Sequence, residues 1–272
     1  MDIHYINQGK RGKVGLCNIC KQSASLSWDH VPPKGGIDLK PVEQITIVQR
    51  LTVHPEEQKR LISQNGVKYR TLCEQCNTRL GRRYDPVLNS FALGVGRILK
   101  SIVEVPPMIH YKTQPAKLIR AILGHLVAAK GVIDHNVVDQ KIREFLFDDQ
   151  AQIPEEIKIF YWIYPYEEIV VVRDVIMPAV RGNLSEFSEL GTFSILKYFP
   201  VAYVVCNLEQ YEGLDELTTY RDLKLEETAE IPLRLTDIKH SEWPEMIDEG
   251  NFMAGGLNLN SSVHARPKKP KA

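Results

Sequence analysis

Two Cys-x-x-Cys pairs constrain this chain more than any other feature of its sequence. The first pair is Cys17 and Cys20, and the second is Cys73 and Cys76. Four thiolates on two close turns satisfy the tetrahedral coordination of a structural zinc ion. The sequence therefore predicts one zinc bound by all four cysteines, with residues 35–66 as an insertion between the pairs. A dithiol redox site at Cys73 and Cys76 is the alternative, but it leaves the first pair without a role.

Charge is distributed unevenly along the chain, although 34 basic and 34 acidic side chains balance overall. Residues 1–104 carry 16 basic and 9 acidic side chains, whereas residues 105–262 carry 14 and 25. A basic first third suits a polyanion, and an acidic middle would repel one. We therefore expect nucleic-acid contacts in the N-terminal part, with a chance imbalance on a solvated surface as the alternative.

The pattern of apolar residues predicts an α+β chain of two domains joined near Pro106-Pro107. Residues 1–104 form the first domain, with strands at 44–53 and 67–72 and helices from about 76 and over 87–102. Residues 105–262 form the second, a mainly antiparallel sheet with helices at 115–129 and 137–147 and strands at 157–164, 169–177, 194–206 and 231–235. Residues 263–272 are predicted to be a basic disordered tail.

The apolar runs and the first residues of the sequence bear on where the protein resides. No apolar run reaches the roughly 18 residues of a membrane helix, and the first residues lack the order of a signal peptide, so a cytoplasmic protein with no membrane contact is expected.

His125 lies on the apolar stripe of its helix and is predicted to be a core histidine. Asp85 is predicted to cap the helix that follows it, with a position near the proposed site as the alternative.

The dipeptide Asp29-His30 lies between the cysteine pairs, and Asn77 directly follows the second pair. This order resembles the HNH, or ββα-metal, endonuclease superfamily, specifically its zinc-stapled branch, which includes phage endonuclease VII. The resemblance covers roughly residues 14–86. It implies that the first domain has a ββα-metal, or treble-clef zinc, fold. It also implies a metal-dependent endonuclease that hydrolyses phosphodiester bonds.

The resemblance implies a role for each of these side chains. His30 would be the general base that takes a proton from the attacking water, as a neutral imidazole can near neutral pH. Asp29 and Asn77 would bind one Mg²⁺ or Mn²⁺, which prefers such oxygen ligands. Members of the family usually have an asparagine shortly before the second cysteine pair that orients the base. This sequence has Val67-Lys68-Tyr69-Arg70 there, so that role is not carried over.

Basic residues near the proposed site are the predicted nucleic-acid contacts, with DNA as the expected substrate: Lys34, Arg79, Arg82 and Arg83. The three arginines are equally compatible with a solvated helix face. The second domain is expected to serve regulation, self-association or a protein partner, and the family association suggests an effector of a bacterial antiphage or restriction system. A noncatalytic zinc module that binds nucleic acid or protein is the alternative function.

Overall fold

The computed structural model describes residues 11–37, 40–102, 104–132, 137–178, 190–211, 213–246 and 253–268. Within these residues the chain is α+β, with five α-helices and strands that pair antiparallel throughout. The fold class expected from the sequence is therefore confirmed. No helix in these ranges has both the length and the hydropathy needed to cross a bilayer.

A small three-stranded sheet holds the residues singled out by the sequence. Its strands are β1 (Val14–Leu16), β2 (Ser23–His30) and β5 (Lys68–Cys73), in the order β1-β2-β5. Strand β5 runs directly into helix α2 (Glu74–Arg83), which is followed by α3 (Asp85–Leu99). A glycine with φ +67° stands at Gly66 just before β5, where the turn requires a backbone that favours glycine. The order β2, β5, α2 is that of a ββα unit.

The insertion between β2 and β5 leaves the small sheet and joins a larger one. It contains β3 (Val42–Thr46), α1 (Ile47–Thr52) and β4 (Leu61–Ser63). The strand predicted over 44–53 therefore ends early. The reason is a capping box, in which Thr46 and Gln49 satisfy each other's backbone N–H groups and start a helix.

A nine-stranded sheet forms the second layer of the molecule. Its main path runs β11-β7-β10-β9-β8-β14-β3-β4, and β13 pairs with β8. The strands not yet introduced are β7 (Lys158–Ile163), β8 (Ile169–Pro178), β9 (Leu190–Tyr198), β10 (Val201–Cys206), β11 (Asp215–Glu216), β13 (Ala254–Gly255) and β14 (Val263–Pro267). The single strand predicted over 194–206 is a hairpin, because the chain turns at Phe199-Pro200.

Helix α4 (Pro115–Ala128) is buried along almost its whole length, and it packs against α3, β5 and β9. Helix α5 (Val137–Phe147) packs beside it, and β6 (Met108–Thr113) pairs with β12 (Ala229–Arg234) in a two-stranded sheet. These helices and strands agree with the predicted ones at 115–129, 137–147 and 231–235. An almost wholly buried α4 explains why its apolar residues cover more than one face.

The predicted boundary at residue 104 does not separate two cores. One continuous apolar cluster includes Cys17 and Leu80 of the first third as well as Leu126, Ile159 and Ala265 of the remainder. The predicted disordered tail is also wrong for its first half, because residues 263–267 form β14 between β3 and β8. Val263, His264 and Ala265 are buried because β14 lies between two other strands, which only the assembled sheet shows. Residues 269–272 lie outside the described residues.

Candidate functional site

The four cysteines of the two pairs converge. Their Sγ atoms all lie within 4.8 Å of one another, although 53 residues separate Cys20 from Cys73. The Sγ atoms of Cys20 and Cys73 are 3.8 Å apart, which is too far for a disulfide. A hydrogen bond from the Cys76 thiol lowers the pKa of Cys17 to about 4, so a thiolate forms readily there. The cluster could hold a metal ion such as zinc, and a redox pair at Cys73 and Cys76 would not need the other two thiols.

The turn between Cys17 and Cys20 is fixed to the rest of the molecule. The Asn18 amide donates to the backbone oxygens of Val127 and Lys130, both at 2.9 Å, at the end of α4. The guanidinium of Arg143 donates to the Asn18 carbonyl oxygen at 2.8 Å. Asn18 is almost fully buried. The cysteine cluster is therefore anchored to α4 and α5 rather than carried on a separate domain.

His30 is the last residue of β2, and it stands directly across from Lys68 of β5. Residues paired across an antiparallel sheet share a face, so both side chains project from the same side. The imidazole is half-buried, and its Nε2 atom has no hydrogen-bond partner within the described ranges. Burial, and after it the charges of Lys34 and Lys68, lower the pKa of His30 to about 4. The imidazole is thus neutral near pH 7.

Asp29 projects from the opposite face of β2 and lies in the interior. It pairs with the buried Tyr69 across the sheet, and its own exposure is 4%. The Oδ2 atom of Asp29 is 2.9 Å from Nδ1 of His125, and Nε2 of His125 is 2.9 Å from Oδ1 of Asp85. The resemblance implies that Asp29 contributes its carboxylate to the same site as His30. The structure instead places the Asp29 carboxylate in the interior, where it is hydrogen-bonded in a row with the imidazole of His125 and the carboxylate of Asp85.

The charges of Asp29, His125 and Asp85 stabilise one another. Burial by itself lowers the pKa of His125, but the carboxylates of Asp29 and Asp85 outweigh it and hold that pKa well above the usual value. Burial raises the pKa of Asp29, and the charge of His125 opposes the rise. His125 is therefore a core histidine, as expected, but a charged one. Asp85 starts α3 without a side-chain capping bond, so its predicted role as a cap is wrong.

Asn77 holds the first turn of α2 against the end of β2. Its Nδ2 donates to the carbonyl oxygen of Trp28 and to Oγ of Ser27, each at 3.0 Å. These contacts use the nitrogen of the amide and leave Oδ1 as the atom that could bind a cation. Asn77 thus contacts Trp28, the residue that precedes Asp29 in β2.

Two of the three arginines of α2 that were predicted to contact phosphate already pair with an acidic residue. Arg79 and Arg83 both form ion pairs with Asp149, and Arg79 also donates to the carbonyl oxygen of Phe147 at 2.8 Å. Both lie on the side of α2 that faces away from Asn77, since successive helical residues rotate by about 100°. Arg82 is exposed, and so is Lys34, whose charge reaches His30. The structure therefore brings Lys34 to the site and leaves the arginines beside it.

A basic and aromatic surface, which we call the Trp28 patch, was missed in the sequence. Trp28 is 39% exposed, and it stands opposite two residues of β5, Arg70 and Thr71, where the register between the strands shifts. The Arg70 guanidinium lies 5.2 Å and the Lys68 Nζ 5.7 Å from the centre of its ring. Basic residues at alternate positions of a strand, 68 and 70, were the available signal. The Trp28 patch continues the face that carries His30.

The four-cysteine cluster is the one group of three or more His, Cys, Asp or Glu side chains with metal-binding spacing in the described part of the chain. A catalytic cation would therefore have few protein ligands, as the expected pair of Asp29 and Asn77 already implied. Comparisons with protein-family models, curated proteins and solved structures find no match to this chain. The geometry of the site is therefore the evidence that bears on function.

Proposed function

We propose that this protein is a metal-dependent endonuclease of the HNH type that hydrolyses phosphodiester bonds of nucleic acid. The observation that carries the proposal is the environment of His30. Its Nε2 atom is buried without a hydrogen-bond partner among the described residues, and the charges of Lys34 and Lys68 add to burial in lowering its pKa. A core histidine normally has its ring nitrogens hydrogen-bonded, so an unpartnered nitrogen suits a group that receives a proton.

His30 would act as the base that deprotonates a water molecule. Its pKa of about 4 keeps the ring neutral, but it also makes the ring a weak base in the free protein. A bound phosphodiester brings a negative charge next to Lys34 and Lys68, which offsets the two charges that depress the pKa. We expect the basicity of His30 to rise as substrate binds.

Asp29 and Asn77 are the residues that would hold Mg²⁺ or Mn²⁺. Both offer oxygen atoms, which fits a hard cation, and the Asn77 contacts to Ser27 and Trp28 leave its Oδ1 for that purpose. His125 already binds Oδ2 of Asp29, as supporting side chains commonly do for a ligating carboxylate. When bound, the ion would neutralise charge that develops on the phosphate. Asp29 would bind it through its other oxygen.

The substrate in this proposal is DNA, held by the Trp28 patch and Lys34. Arg70 and Lys68 can neutralise phosphates, and an exposed indole can stack on an unpaired base. The later part of the chain supports the site rather than standing apart, since α4 supplies His125. An effector role in bacterial antiphage defence or restriction, in the cytoplasm and with a protein partner, remains part of the proposal from the family resemblance.

The test compares wild type with His30→Ala on plasmid DNA in Mg²⁺ or Mn²⁺. Loss of a general base costs about 10²–10⁴-fold in rate, so nicking or cutting by the variant should fall by that factor. His54→Ala is the matched control, because His54 is an exposed histidine outside the site. Zinc content should be the same in all three proteins. Equal cleavage by wild type and His30→Ala would refute the proposed role of His30.

A noncatalytic zinc module that binds nucleic acid is the second candidate, and one observation favours it. The carboxylate of Asp29 is buried and already paired with His125, which leaves a cation only one of its oxygens. This alternative predicts DNA binding through the Trp28 patch without cleavage under any divalent ion. A DNA complex that forms with wild type, weakens with Trp28→Ala and is never cut would support it.

A further inference from the structure

A large cavity lies outside the candidate site, between α3, the segment that follows β2, and the nine-stranded sheet. Its volume is about 690 Å³. Pockets of roughly 300–1,000 Å³ accommodate small organic ligands. None of the proposed catalytic or zinc-binding residues lines it. The cavity is therefore a separate feature that needs its own explanation.

The walls of the cavity are mostly apolar. Val42 and Ile169 contribute nearly buried side chains from the sheet, and Ile37 and Phe199 close it from two other sides. Gly96 of α3 lets the Phe199 ring lie against the helix, because a Cβ atom there would be 2.9 Å from Cε1 of the ring. An apolar wall of this kind suits a hydrocarbon or aromatic body.

The rim of the cavity is cationic. Lys40 forms an ion pair with Glu167, at 3.5 Å. Arg97 and Lys100 line the cavity without a carboxylate within ion-pair distance in the described residues, and Lys100 Nζ lies 4.7 Å from the centre of the Phe199 ring. Arg97 lies in the last turn of α3 and Lys100 is the C-cap residue three positions later, which places the two cations side by side. They also complement the dipole at the end of α3, so their charge alone would not indicate a ligand.

We propose that this cavity binds a small organic anion. Its apolar body would lie between Ile169 and Phe199, and its phosphate or carboxylate group would contact Arg97 and Lys100. An arginine and a lysine side by side can share the oxygens of one such group. A mostly apolar volume with two cations at its rim that have no carboxylate partner among the described residues supports this ligand class over a neutral one.

The ligand would also contact the segment that leads from His30. Asn89 of α3 donates to the carbonyl oxygen of Lys34 at 2.7 Å, and Gly36 of the same segment lines the cavity. The cavity and the candidate site thus share the short segment 31–37. Binding itself does not depend on the proposed nuclease activity, so the two can fail separately.

Fluorescence of anilinonaphthalene sulfonate, an aromatic anion, tests the proposal with the full-length protein. We expect saturable binding that is displaced by adenosine monophosphate or by decanoate, and whichever displaces it identifies an aromatic or an alkyl body. Adenosine and decanol, the uncharged counterparts, should compete at least about tenfold more weakly, a difference of about 1.4 kcal/mol. Absence of competition by either anion, or equal competition by the uncharged compounds, would overturn the assignment.

Variants locate the binding. Arg97→Ala combined with Lys100→Ala should weaken probe binding by about tenfold or more, whereas Arg82→Ala, an exposed arginine on α2, should not. Leu93→Trp should block the cavity, since Leu93 lines it and is 43% exposed. Ile176→Trp is its control, because Ile176 is 44% exposed and lies elsewhere. Wild-type affinity in the folded double variant would place the probe outside this cavity.

Discussion

Two histidines near the end of β2 have opposite environments. His30 is half-buried, has an Nε2 atom with no hydrogen-bond partner in the described part of the chain, and has a pKa lowered to about 4. His125 is completely buried on the other side, lies between two carboxylates and has a raised pKa. Burial disfavours charge on both rings. The difference comes from their neighbours, which are lysines for His30 and aspartates for His125.

The two histidines therefore have different roles: His30 belongs to the proposed chemistry of the site, and His125 supports its structure. A neutral imidazole with an unused nitrogen can receive a proton, whereas a charged imidazole between two carboxylates has both nitrogens occupied. Asp29 and His30 are adjacent in sequence, yet the alternation of the strand sends them to opposite faces. His125 thereby fixes the position of the strand from which His30 projects.

The largest effect on this arrangement is expected from loss of the cysteine cluster. Cys76→Ser should reduce the metal content from about one zinc per chain to a small fraction, because a structural site needs all four ligands. Structural zinc contributes binding free energy of about 10–16 kcal/mol to folded zinc peptides. We therefore expect β2 and α2 to become accessible to limited proteolysis.

Cys206→Ser is the control for this change, because Cys206 is a buried cysteine outside the cluster. Its zinc content, measured by atomic absorption, should equal that of wild type. If Cys76→Ser kept its zinc and its resistance to protease, the cluster would not be a structural metal site.

A somewhat smaller effect is expected from His125→Leu. The substitution leaves the carboxylates of Asp29 and Asp85 buried and unpaired, which should lower the free energy of unfolding by about 3–5 kcal/mol. Urea denaturation measures the change. His54→Ala, at an exposed histidine, should alter stability by less than about 0.5 kcal/mol.

A triple variant distinguishes the lost charge from lost packing. Adding Asp29→Asn and Asp85→Asn to His125→Leu removes the two unpaired charges and should recover part of the stability. No recovery would indicate that packing of the ring, rather than its charge, is what the core requires.

The next test concerns the protonation of the two rings. In nuclear magnetic resonance titrations, the resonance absent from His30→Ala should titrate near pH 4, as its lowered pKa requires. The folded protein then binds fewer protons than the unfolded chain between about pH 4 and the unfolded pKa of about 6.5. Stability from His30 is therefore present above pH 6.5 and is lost as the pH falls toward 4.

His125 provides the internal comparison in the same spectra. Its raised pKa predicts that its resonance stays in the protonated form through neutral pH. A His30 midpoint near 6.5, or a neutral His125 at pH 7, would remove the contrast between the two environments.

The smallest expected effect is on the salt dependence of DNA binding. Arg70→Ala should reduce the slope of log affinity against log salt by about 1, because one phosphate contact is lost from the Trp28 patch. Arg83→Ala should change the slope less, because Arg83 already pairs with Asp149. Fluorescence anisotropy at several salt concentrations measures both. A larger loss with Arg83→Ala would move the DNA interface to α2.

The cysteines and the helices could be predicted because their signals are local. The presence of two Cys-x-x-Cys pairs indicates a metal site, and the periodic apolar residues of α4 and α5 indicate helices. The two carboxylate partners of His125 could not be predicted from such local signals. Asp29, Asp85 and His125 are separated by 40 or more residues, and only the packing of α4 against the ββα unit joins them.

The sequence by itself determined the α+β class and identified the four cysteines of two pairs as candidate metal ligands. Only the tertiary structure decided that 263–267 complete a sheet with the N-terminal insertion, that Asp149 occupies two of the arginines, and that His125 is charged. The physical reason is that strand pairing, ion pairing and desolvation depend on residues brought together from distant parts of the chain, whereas periodicity and spacing act within a few residues.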